Sequence, residues 1–328
     1  MRPDTGQLQR AAAELGFPVE PLEKVFRLVQ LLDGLRAHPY LADRLVLKGG
    51  TALNLFVLDL PRLSVDVDLN YVGAVDREAM IAERPTVERA IHAVCGRLEL
   101  RVRRTPSDHA GGKWRLSYDR VQGGTGSLEL DLNFLMRSPL WPPELRDSPA
   151  VLGVAARGIV VADLHELAGG KLAALFGRTA SRDLYDAAQI LAHGALNRQR
   201  MRLAFVLYGA MSRRDWRTVA LEELALDPKD AAARLVPLLR SRVAPARAEL
   251  VAWCADLVAQ CRERLAMVLP LEPHEMQFLD ALHERGEIQP ELLTTDADLQ
   301  GRIAQHPALL WKAQNARDFA ARRPTKGD

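Results

Sequence analysis

Residues 48–70 read Lys48-Gly49-Gly50-Thr51-Ala52-Leu53-Asn54-Leu55-Phe56-Val57-Leu58-Asp59-Leu60-Pro61-Arg62-Leu63-Ser64-Val65-Asp66-Val67-Asp68-Leu69-Asn70. The fold turns on this stretch. Its end, continued by Tyr71 and Val72, alternates with period two, the signature of a β-strand with one wet and one dry face. Asp66, Asp68 and Asn70 share one face; Val65, Val67, Leu69 and Tyr71 share the other, which faces a core. Upstream, the short apolar run Leu45-Val46-Leu47 reads as a strand that stops at two glycines, and Ala52 to Leu58 suits a buried helix.

The residue types on the wet face point to chemistry. Aspartates at i and i+2 on one strand have Cα atoms about 6–7 Å apart, so their carboxylates can converge on one or two hard cations. Magnesium takes one or two protein carboxylates and completes its shell with substrate phosphates. A metal pair clamps the attacking and leaving oxygens of a displacement at phosphorus. Two like charges side by side also need a counter-charge, either a metal or an arginine. A solvated strand face is the plainer reading of Asp66 and Asp68 alone. Gly49 and Gly50, between strand and helix, shift the balance. Glycine lets backbone amides approach a phosphate, and a helix N-terminus adds partial positive charge. The Thr51 hydroxyl adds a donor there or caps the helix.

Working outward, residues 1–44 read as helical, with Leu22, Val25, Leu28, Leu31 and Leu32 at helical spacing behind Pro21. Residues 76–95 predict a long amphipathic helix. Strands are expected at Leu98–Arg104, Lys113–Tyr118 and Leu128–Leu135, the last two joined through Gly123-Gly124-Thr125-Gly126. The last strand again has an apolar face and an acidic one, carrying Glu129, Asp131 and Asn133. Asp131 is the natural third metal ligand, or the base for an incoming hydroxyl; an ordinary amphipathic strand is the alternative. Beyond about residue 161 the strand signal fades. Asp163 opens a helix with Glu166 in a capping-box position, and helices follow at 183–193, 198–209, 229–241, 246–268, 273–284 and 297–322. The expected architecture is α+β: a small mixed sheet with flanking helices over residues 1–161, then a mostly helical region over 162–328. The basic tail from Arg322 to Asp328 is expected to fray.

Composition narrows the classes. The 328 residues are 48% hydrophobic and 26% charged, with a net charge of +2, so disorder is excluded and any basic surface must come from local clustering. Three cysteines without CxxC spacing indicate neither a disulfide framework nor a zinc site. No signal-peptide pattern opens the chain, and no apolar run approaches the roughly 18 residues of a membrane span. A cytoplasmic protein without a membrane partner is expected.

With these residues in view, the run Lys48-Gly49-Gly50-Thr51-Ala52-Leu53, then Arg62-Leu63-Ser64-Val65-Asp66-Val67-Asp68-Leu69, resembles the AbiEii/AbiGii (MenT-like) toxin family within the polymerase-beta-like nucleotidyltransferase superfamily. The gap across positions 51–65 is longer than the superfamily's usual one, and Arg62-x-Ser64 is a feature of the toxin family. Glu166, Lys171, Ala174-Leu175, Arg178 and Arg182-Asp183-Leu184-Tyr185-Asp186 extend the resemblance, which covers about residues 40–190.

The resemblance implies a nucleotidyltransferase fold and transfer of a nucleoside monophosphate from an NTP to an acceptor with release of pyrophosphate. It implies Mg²⁺, with a two-ion site held by Asp66, Asp68 and Asp131. In the family a lysine and a downstream aspartate of this region are needed for activity. That role carries over to Lys171 and to Asp183 or Asp186, with the choice between the acids open. Gly49, Gly50 and Thr51 are expected to cradle phosphates; Ser64 reads first as a strand-edge serine, with a phosphate contact or a blocking modification as the other reading. Lys171 and Arg178, seven apart, share a helix face suited to a triphosphate, and Arg182 extends it if the helix persists. Relatives modify the 3′ end of tRNA and stop translation, so tRNA is the expected acceptor and a winged-helix antitoxin an expected partner. Three basic clusters carry aromatics or stand alone: Arg101, Arg103 and Arg104 with Lys113, Trp114 and Arg115; Arg198, Arg200 and Arg202; and Arg213, Arg214, Trp216 and Arg217. Two other readings stand beside this one: the same chemistry on a small molecule or protein side chain, and a non-catalytic sequestering protein.

Overall fold

The computed structural model describes residues 3–105 and 110–322. The tail expected to fray lies, from residue 323 onward, outside the described residues. The chain divides into two compact units. The first comprises Met1–Arg137, Pro142–Asp163 and Asp227–Trp253; the second comprises Ser138–Trp141, Leu164–Leu226 and Cys254–Asp328. A single cut near residue 161 therefore misses the return of 227–253 to the first unit.

The first unit is built on a seven-stranded mixed sheet. In chain order its elements are α1 (Thr5–Leu15), α2 (Val19–Arg36), β1 (Leu45–Lys48), α3 (Gly49–Thr51, widening to π spacing over Ala52–Val57), β2 (Asp66–Tyr71), α4 (Arg77–Arg97), β3 (Arg101–Arg104), β4 (Gly111–Asp119), β5 (Thr125–Asn133), β6 (Glu144–Arg146) and β7 (Ile159–Val161). The strand order is β3-β4-β5-β2-β1-β7-β6. β2 lies parallel to β5 and antiparallel to β1, and β4 is antiparallel to β5. Strand alternation separates the faces as the sequence predicts. Val67, Leu69, Tyr71, Leu128, Leu130, Leu132, Phe134, Trp114 and Leu116 are buried in the core. Asp66, Asp68, Glu129 and Asp131 lie half-buried on the opposite face. Leu22, Leu28, Leu32 and Val29 of α2 join the core, and so do Val87, Ile91 and Val94 of α4.

Residues 227–253 add a short helix, α8 (Pro228–Asp230), continued by irregular turns. The helix expected over 229–241 breaks because Pro237 removes a backbone donor, and the turn ends at Leu238. This segment is stitched to the loop before β2: Leu63 donates its amide to the Leu238 carbonyl, and Arg62 bridges Leu239.

The second unit is helical, with α5 (Leu164–Arg178), α6 (Ser181–Leu191), α7 (Arg198–Met211), the later part of α9 (Leu250–Leu265), α10 (Pro273–Asp280), α11 (Ala297–Ala304) and α12 (Pro307–Arg322). The single helix expected over 297–322 is two, because Pro307 starts a new helix where its missing amide does no harm. Trp216 is fully buried against Phe205 and Phe176, with ring centroids 4.9 and 5.6 Å away. Arg202 is buried and held by Glu275 through Nε at 3.0 Å and a second guanidinium nitrogen at 2.6 Å.

Candidate active site

The sheet face carrying the aspartates is organised by register. Asp68 stands opposite Asp131 across the β2–β5 pair, and Asp66 stands opposite Glu129. The parallel alignment therefore brings Asp131 beside the Asp-x-Asp strand, 63 residues away in sequence. The row continues on both sides, because Lys48 of β1 pairs with Asp68 and Lys113 of β4 pairs with Asp131. One residue from each of four adjacent strands thus forms a line Lys48–Asp68–Asp131–Lys113. The counter-charge that two carboxylates require is supplied by these lysines. Lys48 is half-buried; burial lowers its pKa, against the opposing pull of Asp68 and Asp131. Lys113 is raised, first by its hydrogen bond to Glu129 and also by Asp66 and Asp131. From sequence Lys48 heads the glycine motif and Lys113 belongs to a basic cluster, but their place in this row depends on non-local register.

Gly49 fixes Asp68. Its φ is +72°, and a Cβ placed there would lie 2.2 Å from Asp68 Oδ2. The Asp68 carboxylate thus occupies space that any side chain at 49 would fill. Gly50 is buried, and its carbonyl accepts from Asn54 Nδ2 at 2.9 Å. Thr51 departs from expectation. It is buried, its side chain caps nothing, and its hydroxyl donates to the Asp66 carbonyl at 2.5 Å. Its structural work is to tie the turn to β2. Arg62 is likewise buried and donates to the Leu63 carbonyl. Ser64 is half-buried two residues before Asp66, ahead of the strand.

Among the described residues no three carboxylate, imidazole or thiolate groups converge as a ready-made metal cage. The donor set nevertheless fits magnesium in the usual way, with two adjacent carboxylates and substrate phosphates completing the shell. Asn70, next on the same face, is buried with its Oδ1 unpartnered among the described residues, an orphaned acceptor of the kind that water or a ligand satisfies.

The second unit holds the other candidate residues as a separate cluster. Lys171, 8% exposed, sits between Asp183 at 3.0 Å and Asp186 at 2.9 Å. Both acids therefore orient the lysine, and they lie on successive turns of α6, which is why spacing alone does not separate them. Arg178 also turns to Asp183, at 2.5 Å. Burial would raise the Asp183 pKa, but the Arg178 hydrogen bonds and the Lys171 charge outweigh it and hold the acid below the usual carboxylate value. α5 ends at Arg178, and Thr179 takes φ +48°, so Arg182 belongs to the next helix and does not extend the α5 face. Glu166 has partners within the second unit. It is buried and accepts from the Trp141 amide at 3.0 Å and the Tyr208 hydroxyl at 2.8 Å.

The basic clusters resolve unequally. Trp114 and Trp216 are buried, so neither stacks on a base. Arg202, Arg214 and Arg217 are engaged with Glu275, Glu223 and Asp215. Arg200 lies 5.5 Å over the Trp141 ring. Arg103, Arg104, Lys113 and Arg115 remain exposed.

A family model described as "Nucleotidyl transferase AbiEii toxin, Type IV TA system" matches residues 30–305. Among solved structures, the chain is similar to MenT4, a nucleotidyltransferase toxin from Mycobacterium tuberculosis H37Rv, with a TM-score of 0.60 at 20% identity over 96% of this chain and 98% of that one. No curated protein matches the sequence. Among the described residues no helix is long and apolar enough to cross a membrane.

Proposed function

Because this chain belongs to the AbiEii family of nucleotidyltransferase toxins of type IV toxin–antitoxin systems, we propose that it moves a nucleoside monophosphate from an NTP to the 3′ end of tRNA in a magnesium-dependent reaction that stops translation. The observation that carries this reading is the pairing of Asp68 with Asp131 beside Gly49. Two carboxylates on adjacent strands share one sheet face, and the glycine turn beside them gives the Asp68 carboxylate the space it occupies.

In this reading Asp66, Asp68 and Asp131 hold magnesium. When bound, the metal neutralises charge on the phosphates and lowers the pKa of the attacking hydroxyl. Gly49 and Gly50 present backbone close to the phosphates. As the alternative to holding metal, Asp131 takes the proton of the acceptor hydroxyl. Lys48 and Lys113, at either end of the aspartate row, offset charge as the nucleotide enters and pyrophosphate leaves. Lys171, oriented by Asp183 and Asp186, serves as a point charge for phosphate, and Arg178 and Arg182 are the accompanying cations. Ser64 remains a phosphate contact and a place where added charge would block the site. The reaction belongs in the cytoplasm with its substrates. The antitoxin that the family implies is proposed to be a winged-helix protein encoded by a small gene upstream.

The test is incubation with each labelled NTP, Mg²⁺ and total tRNA. Label in tRNA that disappears with Asp66→Ala supports the reading. Label only on protein or small molecules replaces it with another acceptor, and absence of NTP turnover with any acceptor indicates a sequestering protein.

A further inference from the structure

The wet face of the sheet changes sign from one strand to the next. Across one row the residues are Lys48, Asp68, Asp131 and Lys113; across the next they are Asp66, Glu129, Arg115 and Arg104. The central strands β2 and β5 are acidic, and the strands β4 and β3 beyond them are basic. Arg103 joins the basic side by donating from Nε to the Ser117 hydroxyl at 2.8 Å. Lys113 and Arg115 are 59% and 62% exposed, so their charges are presented to solvent. Arg104 stands directly opposite Arg115, and like charges facing each other across a ladder destabilise it. Among the described residues Glu129 is the carboxylate ion-paired with this group, 2.9 Å from Lys113 Nζ and 3.7 Å from Arg115 Nε.

We propose that Arg103, Arg104, Lys113 and Arg115 form the track for the phosphate backbone of an RNA acceptor, leading its end to Asp66, Asp68 and Asp131, with Glu129 as the built-in competitor that sets its strength. The inference rests on the nucleotidyltransferase reading and names where its acceptor lies. The physical case is charge and place. An acceptor must arrive beside the catalytic carboxylates. The surface that adjoins them on the β4 side offers exposed cations about 6.6 Å apart along the strand and about 4.8 Å apart across it. A backbone bearing one negative charge per nucleotide matches such a row; a small neutral acceptor would need none of it. With Trp114 pointing into the core, the track holds phosphates and does not read bases by stacking. RNA displaces Glu129 from Lys113 and Arg115 as it binds.

The experiment measures binding of total tRNA, and of a single-stranded RNA oligonucleotide, by fluorescence anisotropy across 50–200 mM salt. Mg²⁺-dependent binding of a fluorescent NTP analogue is measured in parallel. For R103Q/R104Q/R115Q, which leaves Lys113 beside Asp131 untouched, RNA affinity should fall by at least tenfold and the slope of log K against log salt by about 2, at roughly 0.7 for each phosphate no longer neutralised. NTP affinity should stay within twofold. E129Q should bind RNA several-fold tighter, a gain that misfolding does not produce. Unchanged RNA affinity in the triple variant overturns the proposal. So does a loss of NTP affinity with RNA binding intact, which would assign these cations to the triphosphate, or absence of RNA binding by the wild type. Label transfer from NTP to tRNA, with Asp66→Ala as control, tests the underlying reading separately, because the track fails alone if transfer proceeds while the triple variant keeps its tRNA KM.

Discussion

Replacing Gly49 with alanine tests the central geometric claim about Asp68. Two separable penalties are expected. The first is local: φ is +72° at residue 49, and an L-residue in that region costs about 1–2 kcal/mol. The second is the collision, since the new Cβ would sit 2.2 Å from Asp68 Oδ2 and 2.9 Å from its Cγ. Ordinary van der Waals separation is more than about 1 Å greater, so the carboxylate must move by about that much. A displacement of about 1 Å at a reacting centre costs on the order of 100-fold in rate. Gly124, in the turn between β4 and β5, supplies the control. It has φ +81°, and a Cβ there meets nothing within 4 Å. Both variants should lose about 1–2 kcal/mol in urea unfolding, while only Gly49→Ala should lose about 100-fold in kcat/KM for label transfer from NTP. If Gly49→Ala keeps wild-type kcat/KM, the placement of Asp68 by the glycine turn does not govern catalysis and the reasoning fails. Equal activity losses in both variants would assign the effect to backbone strain instead.

Thr51→Val should cost about 1–2 kcal/mol by stranding the Asp66 carbonyl that the hydroxyl satisfies, and Thr51→Ser should restore it; a Val variant of full stability would show that the tie is dispensable. Asp66→Ala, on a half-buried face, should abolish transfer with less than about 1 kcal/mol lost in chemical denaturation, and substantial unfolding would mark Asp66 as structural. Asp186→Ala removes one of two carboxylates holding a buried lysine and should destabilise by about 3 kcal/mol, near the low end for a broken buried pair because Asp183 remains; a stable, inactive variant would instead separate function from folding there. The Asp183 pKa is depressed in the folded state, so its contribution is fully present above the ordinary aspartate value of about 3.9 and is lost as pH falls through the folded value. Arg178→Gln raises the folded value toward the ordinary one and narrows that gap, so urea midpoints followed from about pH 5 downward should show a smaller loss below about pH 4 than in the wild type; superimposable curves would remove Arg178 from the cause.

Local pattern made some of this chain legible from residues alone. The strand through Asp66 and Asp68 shows in period-two alternation, because side chains of successive residues point to opposite faces whatever the strand pairs with. The glycine turn shows because a strand must end before a helix begins. The same reasoning separates Leu128, Leu130 and Leu132 from Glu129 and Asp131. Local pattern failed where proline intervened within a helical period, at Pro237 and Pro307, and where a side chain found a partner inside the fold: Thr51 on the Asp66 carbonyl, Glu166 on Trp141 and Tyr208, Trp114 and Trp216 in cores.

What the sequence by itself determined is therefore the chemistry of each element: an acidic strand after a glycine turn, a second acidic strand, and a helical region with a lysine and two acids. Only the tertiary structure decided which of these charges meet. Register is a pairing between segments far apart in the chain, and no period within either segment encodes it. That pairing sets Asp131 beside Asp68, places Lys48 and Lys113 at the two ends of the row, and turns one sheet face from acidic to basic between β5 and β4.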